Sequence, residues 1–370
     1  MKEDNDIFKK FRDSFSKIDG HFHILEQRVP VERQMEYFKY SEKIRKDQDK
    51  PDISKMDFSV FEDSLDDPES TVEHKKYVLS MLATSRQVKA YRILEEYAQA
   101  PDPDVADWAY MALMESRIAL ESELSDEKQI YISTGLGGKG EKLRFYVLIL
   151  ANELKPFLEY QKKVIEREFP YSLEKAGCEI ERLTIGEKYM ELVFLIPVRA
   201  DIKQALDKVI NECNQYGNFL SQVFTITNVK ELSAEEVEEI IKRMEETVKQ
   251  AIKYGIVGVS NTVITAVVIW IMMKLFGCSD VVSNMVGYVA GVLNSFIWNK
   301  QWTFRSSAGW IGSAVRFGVV FGVCYLLQLG LLVYVLNPYL SIDPYYNQLI
   351  AMAFYTVINF IMNKFYTFKA

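Results

Sequence analysis

The stretch Asn294-Ser-Phe-Ile-Trp-Asn299-Lys300-Gln-Trp302-Thr303-Phe304 returns in shortened form as Asn359-Phe-Ile-Met-Asn363-Lys364-Phe-Tyr366-Thr367-Phe368. Both copies read Asn-Lys-x-x-Thr-Phe, and each closes a long apolar run. The likeness continues upstream, where Lys253-Tyr254-Gly255-Ile256-Val257 matches Arg316-Phe317-Gly318-Val319-Val320. The upstream offset is 63 residues and the Lys300/Lys364 offset is 64, so two units follow one another with almost no insertion. Such repetition reveals architecture before any single element does.

Four uncharged stretches surround these motifs: Tyr254–Met273, Val281–Asn299, Phe317–Ile342 and Pro344–Asn363. Each has about the 20 residues that a helix needs to cross a bilayer core. Turn material at Asn337-Pro338 and Asp343-Pro344 shortens the last two to Phe317–Leu336 and Tyr346–Asn363. Lys249, Lys253, Lys300, Arg305, Arg316, Lys364 and Lys369 would lie on one side; Lys274, Asp280 and Asp343 would lie on the other. Basic residues mark the cytoplasmic side, so both termini are expected there. The opening Met1-Lys-Glu-Asp-Asn-Asp has no apolar signal region. Each unit holds two spans, so the units share one orientation and form parallel repeats about an axis along the membrane normal.

Charge divides the chain at the same place. The whole carries −7; residues 253–370 hold seven basic residues against Asp280 and Asp343, a net of +5, which leaves −12 for residues 1–252. So acidic a region lacks the basic footprint of a nucleic-acid binder. Cys178, Cys213, Cys278 and Cys324 are scattered, without metal or disulfide spacing.

Residues 1–127 read as a helical, acidic region. Phe8, Phe11, Phe15 and Ile18 have helical spacing, Val31–Arg45 suits a helix, and Asp47–Pro68 reads as loop. His21 and His23 read as exposed loop histidines rather than metal ligands, since only His74 remains to join them. Over 71–125, paired helices and a Pro101-Asp-Pro103-Asp104 start resemble HEAT-type repeats for about one and a half units, which implies an interaction surface. Residues 128–232 change period. Strands are expected at Gln129–Ser133, Leu143–Leu150, Glu179–Thr184, Tyr189–Val198 and Phe219–Asn228, with helices at Pro156–Arg167 and Asp201–Cys213. From Leu143 the order is β-α-β-β-α-β, a ferredoxin-like or split-βαβ arrangement, with Gln129–Ser133 as an added strand. Residues 233–252 form a linker helix, opened by the capping box Ser233-Ala-Glu-Glu236.

The loop Gly135–Gly140 is the one candidate phosphate cradle in the soluble part. It misses the Walker A pattern twice: Ser133 stands at the first glycine position, and Gly140 follows Lys139. A hairpin loop is the plainer reading. No nucleophile–base constellation stands out, and no enzyme activity, cofactor or metal is expected.

The fold class is therefore multidomain: a helical N-terminal region, an α+β ferredoxin-like domain, and an all-α transmembrane domain of four helices over 253–370. Two two-span units, each opening Lys/Arg-Tyr/Phe-Gly and closing Asn-Lys-x-x-Thr-Phe, resemble the GtrA-like family over residues 250–370. That resemblance implies a cytoplasmic-membrane protein that translocates or handles polyprenyl-phosphate-linked sugars, such as those on undecaprenyl phosphate, for cell-surface polysaccharide synthesis. Most members lack so large a soluble region. A membrane-anchored scaffold or lipid sensor that recruits a glycosyltransferase therefore stands as the alternative. Four spans are few for a pathway, so a homo-oligomer or partner is expected.

Buried polar side chains in a span are costly and are usually functional or paired. Asn294, Asn299, Asn359 and Asn363 are read as hydrogen-bond donors to a lipid phosphate. Lys300 and Lys364 supply charge, and Arg316 and Lys253 complete the cluster. Trp302, Phe304, Tyr366 and Phe368 are read as interfacial anchors. The competing reading is structural: asparagines as interhelical glue and lysines as ordinary anchors.

Overall fold

A computed structural model describes residues 21–46, 57–124, 129–340 and 344–369. The chain divides into two compact units, one running to Glu238 and the other starting at Glu239.

In the first unit, β1 (His21–Ile24) pairs in parallel with β2 (Gln129–Ile132) as a separate two-stranded sheet. This corrects two expectations. Gln129–Ile132 does not join the main sheet, and His21 and His23 lie in a strand rather than a loop. The His23 ring stacks on Tyr131 at 4.7 Å and faces Glu121 at 3.2 Å. The helical layer is α1 (Val31–Lys46), α2 (Ser59–Asp66), α3 (Val72–Ala83), α4 (Val88–Tyr97) and α5 (Ala106–Leu124). Helix α2 falls in the stretch expected to be loop; Phe61 and Leu65, one turn apart, are buried and outweigh the polar residues around them. The helical spacing of Phe8 to Ile18 lies outside the described residues. Tyr37, Leu79, Leu82, Leu94, Trp108 and Met111 centre the core of this layer. Tyr37 and Ser41, both fully buried, donate to the Glu115 carboxylate at 2.6 and 2.6–2.7 Å. Burial, then that carboxylate, hold the Tyr37 phenol well above its usual pKa.

The main sheet contains β3 (Gly138–Lys139), β4 (Lys142–Ala151), β5 (Glu179–Ile185), β6 (Tyr189–Pro197) and β7 (Leu220–Thr227). Its path runs β3-β4-β6-β5, with β7 also on β4, and every pairing is antiparallel. Strand β4 is central because Leu143–Ala151 is apolar except for Arg144, and nearly all of it is buried. Helices α6 (Glu159–Lys175) and α7 (Ile202–Asn214) supply Val164, Ile165, Phe169, Val209 and Ile210 to the core beneath it. Helix α6 runs past the expected end at Arg167 and through Pro170, because Phe169 and Leu173 on either side are buried. Asp201 caps α7, accepting from the Gln204 amide at 3.0 Å.

Arg144 grips Glu181 through two bonds, of 2.5 and 2.7 Å. This guanidinium holds the Glu181 carboxyl below its ordinary value of 4.5. A depressed carboxylate pKa stabilises the fold above the unfolded value, and the contribution fades as pH falls through the folded one. We expect the melting temperature of the wild type to drop further between about pH 6 and about pH 3 than that of Arg144→Met. Equal drops in a thermal-melt series would remove this pair as an acid-sensitive support.

Among the described residues, the second unit has four helices long and apolar enough to cross a membrane. Helix α8 (Ala234–Lys274) begins in the first unit at the expected capping box: Ser233 N–H donates to Glu236 at 2.9 Å, and Glu236 N–H returns to Ser233 Oγ at 3.2 Å. Its 41 residues make the linker and the first span one continuous helix of about 60 Å. The others are α9 (Asp280–Trp298), α10 (Trp310–Leu331) and α11 (Pro344–Met362). Helix α10 starts before the expected Phe317, so Arg316 lies within the helix. Outward positions are aliphatic, with Val281 75 %, Ile311 84 % and Leu326 67 % exposed, a surface suited to lipid rather than water.

Two glycines of the membrane helices sit in close helix contacts. A Cβ on Gly291 would sit 2.3 Å from Thr265 Oγ1, and one on Gly287 would sit 2.5 Å from Ile269 Cγ1. Gly255, Gly258, Gly318 and Gly322 have no such neighbour within 4 Å. Small residues admit close approach but do not dictate which helix face turns inward.

Candidate functional site

Each Asn-Lys-x-x-Thr-Phe motif ends its helix in a wide π turn, a feature common at functional positions. The Phe304 amide donates to the Asn299 carbonyl at 2.9 Å, and the Phe368 amide donates to Asn363 at the same distance. The wider turn brings Thr303 and Thr367 inward; both are buried.

The two motifs meet at their phenylalanines. Phe304 stacks on Phe368 at 5.2 Å. Tyr254 packs on Phe304 and Phe360 at 6.1 and 5.4 Å, while Phe317 packs on Phe368 and Phe296 at 6.1 and 5.5 Å. Phe368 is buried and Phe304 is half-buried, so these two expected anchors pack between helices. Tyr366 is exposed and Trp302 half-buried, each near a cation: Lys253 Nζ lies 5.2 Å from the Trp302 ring, and the Arg316 guanidinium lies 5.8 Å from Tyr366.

The asparagines fall into two sets. Asn299 Nδ2 reaches Ser295 Oγ at 3.2 Å. Asn363 Nδ2 donates to the Asn359 side chain and to its carbonyl, the latter at 2.9 Å. The partner of Asn299 is therefore Ser295, the residue 64 before Asn359, and not Asn294. Asn294 donates instead to Asn261 on α8 at 2.6 Å. Tyr254 adds its hydroxyl to Asn359 Oδ1 at 2.8 Å. The oxygens Asn299 Oδ1 and Asn363 Oδ1 are buried without a hydrogen-bond partner.

Both motif lysines turn into the protein. Lys300 is 3 % exposed; its Nζ donates to the Ala308 carbonyl and to Ser313 Oγ, the latter at 3.2 Å. Lys364 is half-buried and donates to Thr247 Oγ1 on α8 at 2.6 Å. Lys253 Nζ reaches the Trp302 carbonyl at 3.4 Å.

Next to this cluster lies a cavity of about 710 Å3, lined from α8, α9, α10 and α11. Asn299 and Asn359 line it, joined by Asn261, Thr265 and Ser295, residues that the sequence reading did not select. Their signal was available, because Asn261 and Thr265 are polar in mid-span and one helical turn apart. The lining runs along α8 from Tyr254 to Ile269, about 22 Å of helix.

Residues 253–368 match GtrA/DPMS, transmembrane domain. The membrane unit of this chain is thus of the GtrA/DPMS type, and the chain is a membrane protein. It is also 31% identical over 96 residues to "Uncharacterized membrane protein YngA" of Bacillus subtilis (strain 168). That match takes in 23% of this chain and 63% of the relative.

In the first unit, Gly135–Gly140 is not an open amide cradle. The Leu136 amide donates to the Asn228 carbonyl at 3.0 Å and the Gly140 amide to the Glu26 carboxylate at 3.0 Å. A Cβ on Gly135 would lie 1.8 Å from the Val229 carbonyl oxygen, so glycine serves close backbone packing there. Burial pushes the Cys178 thiol up to about 11 and the Cys213 thiol up to about 12, the reverse of an activated nucleophile.

Proposed function

We propose that the membrane unit handles a polyprenyl-phosphate-linked sugar and helps move it across the cytoplasmic membrane for cell-surface polysaccharide synthesis, without covalent chemistry. The carrying observation is the cavity beside the paired motifs, where Asn, Ser and Thr side chains are set in an otherwise apolar wall, in a unit of GtrA/DPMS type. The hydroxyls and carboxamides from Tyr254 to Thr265 extend along about 17 Å of α8, about half of a hydrocarbon core of roughly 30 Å. They lower the cost of passing a polar headgroup through lipid. Lys253, Lys300, Arg316 and Lys364 then serve the phosphate at the rim. Lys300 has three donor hydrogens and two protein acceptors here, which leaves one for a phosphate oxygen. The basic side of this unit is read as cytoplasmic, with both termini there. We read the soluble unit as a HEAT-like helical layer joined to a ferredoxin-like domain, suited to docking a glycosyltransferase or a second copy of the chain.

The internal bonds of Lys300 and Lys364 favour a second reading, in which the unit anchors and senses lipid while the soluble part recruits an enzyme. Proteoliposomes holding the full chain separate the two. With glucosyl-phosphoryl-citronellol as a water-soluble probe, translocation predicts uptake about tenfold above empty vesicles, equivalent to about 1.4 kcal/mol of barrier. Uptake equal to empty vesicles, with undecaprenyl phosphate still retained in native mass spectrometry, removes translocation and leaves the sensor.

A further inference from the structure

The cavity and the cations differ in chemistry. The cavity wall carries side chains that both donate and accept hydrogen bonds and others that present ring faces, set among aliphatic residues and glycines. Asn261, Thr265, Asn299 and Asn359 are of the first kind; Tyr288 and Phe321 are of the second. Among the described residues, no Asp, Glu, Lys, Arg or His lines it. Lys253, Lys300 and Lys364 bond instead to Trp302, to Ala308 and Ser313, and to Thr247, none of which lines the cavity.

A phosphate placed inside would have no counter-charge at the depth where an unpaired charge costs most. An uncharged polyhydroxyl ring meets no such penalty. Its hydroxyls alternate as donors and acceptors, which matches carboxamides and hydroxyls, and its C–H face carries the slight positive charge that a ring face attracts. One atom beside the cavity also lacks a partner. Asn299 is 1 % exposed, lines the cavity, and holds Oδ1 buried with no hydrogen-bond partner. Leaving that acceptor empty is costly, and a hydroxyl donor would satisfy it. The volume, about 710 Å3, is within the range of small-molecule sites.

Building on the function proposed above, we infer that this cavity receives the uncharged sugar of the lipid-linked substrate, keeps the phosphodiester at the cationic rim, and rejects sugars that carry a carboxylate. Sugar and phosphate are thus read by separate parts of one site.

Native mass spectrometry of the full-length protein with three lipids tests this: undecaprenyl phosphate, glucosyl-phosphoryl-undecaprenol and glucuronosyl-phosphoryl-undecaprenol. The glucosyl lipid should bind about tenfold more tightly than undecaprenyl phosphate, and the glucuronosyl lipid no more tightly than it. Gly258→Leu fills the cavity from a position where a Cβ meets nothing within 4 Å. It should abolish the gain for glucose while undecaprenyl phosphate is still retained. If that variant does not fold, Thr356→Val, which removes one lining hydroxyl at nearly constant shape, should reduce the same gain. Equal binding of all three lipids, or a gain that survives a folded Gly258→Leu, overturns the sugar subsite and leaves lipid-phosphate handling in place. Retention of none of the lipids overturns both readings.

Discussion

Gly291→Leu and Gly287→Leu should each lower the stability of the membrane unit by about 3 kcal/mol, whereas Gly318→Leu and Gly322→Leu should change it by less than about 1 kcal/mol. All four glycines lie in small-xxx-small patterns of apolar helices, so sequence alone ranks them together. Their surroundings separate them. At Gly291 a Cβ meets Thr265 Oγ1 at 2.3 Å, and at Gly287 it meets Ile269 Cγ1 at 2.5 Å and the Thr265 carbonyl oxygen at 3.0 Å. The Ile269 side chain can rotate away, but the carbonyl cannot move without α8. A leucine must therefore drive α8 and α9 apart, which would also strain the Asn294–Asn261 bond between them. Gly318 and Gly322 have open space, so a leucine there projects outward, and the better helix propensity offsets any loss. Thermal melts of the four purified variants decide it. Similar melting temperatures across both pairs would mean that α8 and α9 are not in this close contact.

Phe368→Ala should cost about 3 kcal/mol, at the lower end of the usual range for a buried phenylalanine. Phe368 is 4 % exposed, and its ring lies within 6.1 Å of the Phe296, Phe304 and Phe317 rings. In a bilayer the loss is one of packing rather than of water exclusion, because lipid tails are as apolar as the ring they would replace. The coupling is the sharper test. Phe304→Ala with Phe368→Ala in a double-mutant cycle should show an interaction of about 1 kcal/mol, as expected for a stacked pair. Tyr366→Ala, by contrast, removes a ring that is 51 % exposed and should cost under about 1 kcal/mol. Additive losses for Phe304 and Phe368 would mean that the two motifs do not meet.

Much of this protein was legible residue by residue. The repeat, the four spans, the capping box at Ser233, the cap at Asp201 and the strand–helix alternation after Leu143 depend on near neighbours in the chain. Periodicity and turn chemistry report those directly. Errors arose where a local signal was ambiguous. The polar stretch around Ser59–Asp66 hides two buried residues one turn apart, and Pro170 marks no helix end because tertiary burial outweighs one lost backbone bond.

Composition and repeat register, which are properties of the chain alone, already pointed to a GtrA-like membrane segment after an acidic region. Tertiary structure decided the rest. It decided that Asn294 reaches across to Asn261, and that Phe304 and Phe368 meet while Tyr366 stays outside. It also decided that β2 joins β1 rather than the main sheet, and that Asn261 and Thr265 share a cavity with both motifs. Each of these depends on how a helix is rotated about its axis, or on which strand edge is free. Those are set by contacts between residues from about 30 to more than 100 positions apart, and a periodic pattern on one element does not encode the rotation of another.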